Sequence, residues 1–128
     1  MSPAGYAQGD PITEGSLYRR IPPLDGYYVY DLQRPSSLAF LPDTDDEYVS
    51  MELASMVRPE QALASFAGFG LCEIAVSVLV DLGLRVTYEP AYGDGHVAVW
   101  GLDSNKPGIK IAKKIAHRAI VIQPPLRR

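Results

Sequence analysis

Cysteine is almost absent from this sequence of 128 residues, in which Cys72 is the single example. One thiol excludes an internal disulfide framework and a zinc site built from cysteines. Long apolar runs are missing as well, and no stretch approaches the roughly 20 residues that a membrane-spanning helix needs. The first 15 residues have no basic start followed by an apolar stretch, so we predict no secretory signal. These absences favour a cytoplasmic protein of bacterial type.

Acidic residues are absent after Asp103. The first 103 residues hold five basic and 15 acidic residues, a net charge of −10, whereas residues 104–128 hold seven basic residues and no acid. Such a split is typical of a chain with an anionic partner, or of a basic end that lies beside the chain's own acidic loops. The overall charge of −3 argues against a dedicated nucleic-acid binder.

The composition is that of an ordinary globular domain, with 47% hydrophobic and 21% charged residues. We predict a flexible N-terminal arm over residues 1–15, because this segment is rich in Gly and Pro and lacks periodicity. A single globular domain is expected over 16–125, followed by a basic tail over 126–128. The predicted fold class is α+β, a small mixed sheet of about four to six short strands packed by two or three helices.

Apolar periodicity predicts the individual elements. A mostly buried helix is predicted over 71–82, where Glu73, Ser77 and Asp81 form a thin polar stripe and Gly83 suits a C-terminal cap. A short helix is expected over 59–66. Segments rich in β-branched and aromatic residues predict strands over 17–21, 27–32, 48–53, 85–89, 96–100 and 120–122. Together with a helix over 106–117, the last two strands form a predicted right-handed βαβ unit.

A lysine stripe marks the last predicted helix. At about 100° per residue, its apolar residues fall in one arc, and the opposite arc holds Lys106, Lys110, Lys113, Lys114 and His117. Four lysines on one face can contact phosphates. No RNA-binding motif or helix-turn-helix accompanies the stripe, so a solvated face or docking to an acidic protein is the favoured interpretation.

Cys72 and His96 form the one pattern that suggests catalysis. Cys72 lies near the start of a predicted helix, where the helix dipole lowers a thiol pKa, and His96 begins a later strand. This layout resembles that of papain-like and transglutaminase-like thiol hydrolases, in which His96 would activate the thiol and Asp103 or Asn105 would orient His96. The neighbouring Glu73 opposes thiolate formation, and a core position for Cys72 is the alternative.

The turn Arg34-Pro35-Ser36-Ser37 is a second candidate site. One arginine and two hydroxyls on a turn can hold a phosphate or a carboxylate. The alternative is a capped turn, in which the serine hydroxyls satisfy backbone groups. Two histidines with scattered acids make no recognisable metal spacing, so no metal or cofactor is predicted.

The order of the segments LYRRI, RPSSLAF, GFGLCEIA and GDGHVAVWG, followed by a basic C-terminal helix, resembles a group of small uncharacterised bacterial proteins. The resemblance covers residues 17–125, and its most specific parts are the RPSSxAF turn and the Gly-x-His strand. It implies that Arg34, Ser36, Ser37 and His96 are the positions to examine. Cys72 is not part of the shared pattern, and the resemblance implies no activity.

The sequence therefore predicts a small accessory domain without catalytic activity, which binds a protein partner, possibly an acidic one. A thiol hydrolase using Cys72 and His96 is the first alternative. Binding of a nucleic acid or an anionic ligand through the basic C-terminal helix is the second. The candidate binding residues are Arg34, Ser36, Ser37, His96, Lys106, Lys110, Lys113 and Lys114.

Overall fold

The computed structural model describes residues 5–43 and 45–127 of the chain. Its main feature is a six-stranded sheet in the order β6-β7-β4-β1-β5-β8, accompanied by a two-stranded hairpin of β2 and β3. The strands are β1 Ser16–Ile21, β2 Tyr28–Val29, β3 Arg34–Pro35, β4 Tyr48–Leu53, β5 Gly70–Ala75, β6 Arg85–Tyr88, β7 His96–Trp100 and β8 Ile120–Gln123. The α-helices are α1 Pro59–Ala62, α2 Val76–Asp81 and α3 Lys106–Arg118. The predicted α+β class is confirmed.

The sheet has two unlike faces. Residues that are paired directly across two strands share a face, and neighbours along a strand point to opposite faces. Arg19 pairs with Cys72 on the face where the Arg19 guanidinium reaches a 3-10 turn at Ser37–Phe40. The helix α3 packs on this turn and contributes Ala112, Ile115 and Ala116 to the core. We call this the helix face of the sheet.

The opposite side of the sheet is more polar and is called here the open face. Tyr18, next to Arg19, points to it and pairs with Glu52, which in turn pairs with His96. The segment after β4 lies over part of this face, because Arg20 donates from Nε to the carbonyl of Ala62. The core therefore lies on one side of the sheet, and the polar cross-strand row lies on the other.

All the strand pairs of the described residues are antiparallel, where the sequence predicted a mixed sheet. β7 and β8 run in the same direction, as a βαβ unit requires, but β4, β1 and β5 lie between them. The helix α3 thus connects two parallel strands across the sheet without making them neighbours. Sequence periodicity locates strands and does not say which strands pair.

The predicted helix over 71–82 is the largest correction to the local structure. Its first part is the strand β5, and only Val76–Asp81 is helical. β5 is held on both sides, by β1 and by β8, and this pairing overrides the helical spacing of Glu73, Ser77 and Asp81. The predicted cap is present, since Gly83 follows with a φ of +84°.

Part of the segment predicted as a flexible arm, residues 9–12, is bound to the edge of the sheet. Ile12 is buried at 1% exposure, and Gly9, Asp10 and Ile12 exchange backbone hydrogen bonds with β6. This segment binds to the sheet because burial of the apolar Ile12 side chain is favourable and because the edge of β6 offers unpaired backbone groups. Residues 1–4 and Arg128 of the predicted basic tail lie outside the described residues.

Candidate functional site

Cys72 and His96 lie on opposite faces of the sheet. Three strand-to-strand steps separate β5 from β7, and at about 4.8 Å per step the two strands are about 14 Å apart. The thiol is fully buried on the helix face, where its Sγ donates to the carbonyl of Arg19 at 3.5 Å. Burial raises the pKa of Cys72 to about 12. The expected thiol–imidazole pair is therefore not formed, and Cys72 sits in a strand rather than at a helix start.

His96 is a buried histidine of the open face, with 8% exposure. Its Nδ1 contacts the carbonyl oxygen of Glu89 at 2.9 Å, and the rings of Tyr48 and Tyr92 pack edge-on against it. Burial lowers the pKa of His96, which favours the neutral imidazole. Asp103 follows the far end of β7, so it does not orient His96. The structure gives His96 a role in holding the turn between β6 and β7.

The sequence prediction missed the ion pair of Arg20 and Glu52 beside His96 on the open face. The Arg20 guanidinium also lies 4.0 Å from the centre of the Phe66 ring. Glu52 lies in the predicted strand β4 opposite His96, and the charge pair only becomes visible once β1 and β4 are paired. Among the described residues, no group of three or more His, Cys, Asp or Glu side chains forms a metal site.

The RPSS turn and the lysine stripe meet in one cleft. A cavity of about 360 Å³ opens between the end of β3 and the C-terminal half of α3. We call it the Arg34 cleft; its lining residues are Val29, Arg34, Pro35, Ser36, Ser37, Lys113, Ala116 and His117. The fold thus brings together four of the eight predicted binding residues, from two segments that are far apart in the sequence.

The two serines of the turn have different roles. The Ser36 hydroxyl accepts from the backbone N–H of Leu38 and donates to the carbonyl of Gly26, so it caps the 3-10 turn. Ser37 begins that turn, is half-buried, and makes no side-chain hydrogen bond within the described residues. The capping alternative therefore holds for Ser36, whereas Ser37 lines the Arg34 cleft without capping the turn.

The electrostatics of the Arg34 cleft are one-sided. The Arg34 guanidinium, which carries donors and no acceptor, contacts Nδ1 of His117 at 3.1 Å. Lys113 lines the same cavity, and none of the lining residues is acidic. Neither Arg34 nor Lys113 forms an ion pair among the described residues. His117 was placed in the lysine arc by its spacing but was not named as a binding residue.

The other lysines lie outside this cleft. Lys106 and Lys110 are exposed and line a groove along α3 that shares Lys113 with the Arg34 cleft. Lys114 is on the other flank of α3, beside Val78 and Leu82 of the α2 region. The stripe is therefore a row of exposed cations, of which Lys113 alone reaches the RPSS turn.

Comparison with protein-family models, with curated proteins and with solved structures finds no match to this chain. No helix among residues 5–43 and 45–127 is long and apolar enough to cross a membrane. The functional argument therefore depends on the geometry of the Arg34 cleft.

Proposed function

We propose that this protein is a binding domain for a ligand that carries a phosphate monoester, which the Arg34 cleft holds. The observation that carries the proposal is the Arg34 guanidinium, which has a histidine rather than a carboxylate as its side-chain partner. A guanidinium beside a lysine, with no acid in the lining, is a cationic cluster without a counter-ion. An anion supplied by a ligand completes it.

A phosphate monoester fits this cluster better than a carboxylate does. Arg34 and Lys113 carry two positive charges, and a phosphate monoester carries about −1.5 to −2 at pH 7. Ser37 and His117 also line the cleft, and a hydroxyl and an imidazole can donate to the remaining oxygens. The predicted role as an accessory domain with a protein partner is compatible with a phosphorylated partner as the source of the phosphate.

Calorimetric titration with inorganic phosphate and with a phosphoserine peptide tests the proposal. A charge-assisted hydrogen bond contributes about 1.5–3 kcal/mol, so the variant Arg34→Gln is expected to bind either probe at least tenfold more weakly. Lys113→Gln, at an exposed position, is a second variant that leaves the fold intact. Tighter binding of the peptide than of inorganic phosphate would identify a phosphoprotein as the source.

Lys106→Gln is the matched control for Lys113→Gln, because it removes one charge from α3 at a position outside the cleft. It is expected to change the affinity less than twofold. Equal losses in Lys106→Gln and Lys113→Gln would mean that the net charge of α3, and not the cleft, attracts the anion. That result would reject the proposal.

A further inference from the structure

The two edges of the main sheet are treated differently by the chain. At the β6 edge the chain supplies its own cover: Gly9 donates to the carbonyl of Tyr88 at 2.7 Å, and Ile12 donates to that of Val86 at 2.9 Å. At the other edge, β8 pairs with β5 alone. No backbone hydrogen bond from Ile120–Gln123 reaches any described segment other than β5. The β2-β3 hairpin lies beside β8, and its Tyr28 and Gln33 line one cavity with Val121, but it makes no backbone hydrogen bond to the strand. The outer backbone donors and acceptors of β8 are therefore unpaired among the described residues.

β8 lacks one of the usual protections of an edge strand, the charged side chains. Natural edges carry lysines or inward charges that discourage pairing with another chain. Ile120–Gln123 holds no charged residue, and Ile120 and Ile122 are 66% and 42% exposed. Pro124 and Pro125 follow and have no N–H, so they limit the pairing segment to β8 itself.

From these observations we infer that β8 is a docking edge, at which an extended segment of a partner protein adds a seventh strand to the sheet. The segment has an apolar centre, which covers Ile120 and Ile122, and acidic residues at its ends. Strand addition gives affinity through main-chain hydrogen bonds and specificity through alternate side chains. This inference does not depend on the phosphate proposal, because the Arg34 cleft does not include β8.

Charge decides which occupant the edge accepts. Arg118 precedes β8 and Arg127 follows it, and neither forms an ion pair among the described residues; the Arg127 guanidinium lies 4.9 Å from the centre of the Tyr30 ring. Glu73, the acid nearest to Ile120 across the strands, already accepts a hydrogen bond from the Ser16 hydroxyl. Cations at both ends of an uncharged strand complement acids on the incoming segment.

A second copy of this chain fits the edge less well. If two β8 strands paired antiparallel, the start of β8 in one copy, which follows Arg118, would lie beside the end of β8 in the other copy, which precedes Arg127. Cations would then meet at both ends of the pair, and like charges oppose pairing.

Synthetic peptides test the docking edge directly. The probe is a ten-residue peptide of alternating threonine and valine with two acidic residues at each end, titrated by fluorescence anisotropy. Its matched control has the same sequence with N-methyl groups on the alternate amides of one edge, which removes the donors and keeps every charge. We expect the control to bind at least tenfold more weakly, and amide exchange at residues 120–123 to slow with the unmodified peptide.

A protein variant separates strand pairing from simple charge attraction. The double variant Ile120→Lys and Ile122→Lys adds positive charge, yet it is expected to bind the acidic peptide at least tenfold more weakly. Val80→Lys, at another exposed apolar position, serves as the control and retains binding. Equal affinity for the N-methylated peptide would overturn the inference. So would a dimer of the wild-type chain that the double variant dissociates.

Discussion

Single side chains of this protein take their chemistry from the face of the sheet to which they point. Cys72 and His96 illustrate this. Neighbouring residues along a strand point to opposite faces, and Cys72 lies on the helix face among apolar side chains, whereas His96 lies in the polar row of the open face. On the helix face the pKa of Cys72 is raised to about 12 by burial. On the open face His96 gains a backbone carbonyl as partner. The His96 ring therefore does not activate the Cys72 thiol, although the order of the two residues in the sequence suggests a thiol enzyme.

At the residue scale we expect His96 to make stability depend on pH. Burial lowers its pKa in the folded protein, whereas the unfolded chain binds the proton at about 6.5. Between those two values the unfolded state binds more protons, so stability rises with pH. The contribution is therefore complete above pH 6.5 and is lost progressively as the pH falls towards the folded pKa.

Urea denaturation at pH 7.5, 6.5 and 5.5 measures this effect. The free energy of unfolding is expected to fall with pH more steeply in the wild type than in His96→Gln. His117→Gln, at an exposed position on α3, is the matched control and is expected to follow the wild type. A wild-type slope in His96→Gln would assign the pH dependence to other groups.

At the element scale, pairing partners decide structure where local patterns are ambiguous. β5 has a helical spacing of polar residues and nevertheless forms a strand between β1 and β8. The helix α3, in contrast, has a strong local signal. Asn105 caps it by accepting from the N–H of Gly108 at 2.9 Å, and Pro107 lies in its first turn. Its bounds are close to those that the sequence predicts, because caps and amphipathic spacing are local properties.

Gly108 provides the test at this scale. Helix propensity alone predicts that alanine stabilises an exposed helix by about 1 kcal/mol relative to glycine. In the structure a Cβ at this position would lie 1.8 Å from the backbone oxygen of Asp103. We therefore expect Gly108→Ala to destabilise the protein by about 2 kcal/mol or more.

Chemical denaturation of Gly108→Ala checks this expectation. Lys110→Ala, an exposed change in the same helix, is expected to stay within about 0.5 kcal/mol of the wild type. A Gly108→Ala variant that is as stable as the wild type, or more so, would show that the loop at Asp103 does not pack against α3 as described.

At the scale of the whole molecule, the chain closes one edge of its sheet with a segment that looks disordered in the sequence. Residues 9–12 lie within a Gly- and Pro-rich segment, yet Ile12 is fully packed in the core. Its burial depends on β6, which lies more than 70 residues further along the chain. A contact at this sequence separation leaves no trace in local periodicity.

Ile12→Ala tests the packing of this segment. Removal of a buried isoleucine side chain costs about 2–5 kcal/mol, whereas a flexible arm predicts no change. Ile120→Ala, at a position that is 66% exposed, is the matched control and is expected to change stability by about 0.5 kcal/mol or less. Equal stabilities of wild type and Ile12→Ala would restore the flexible arm.

Local sequence patterns are sufficient to predict the α+β class, the strands β4 and β7, the capped helix α3 and the row of lysines on it. These features depend on spacing, caps and β-branched residues, all of which are local. Tertiary contacts, in contrast, determine that β5 is a strand, that Cys72 and His96 lie on opposite faces, and that Ile12 is core. They also determine that Arg34 and Lys113 share a cleft with His117. Each of these outcomes depends on which strands pair, and pairing is set by contacts between segments that are distant in the chain.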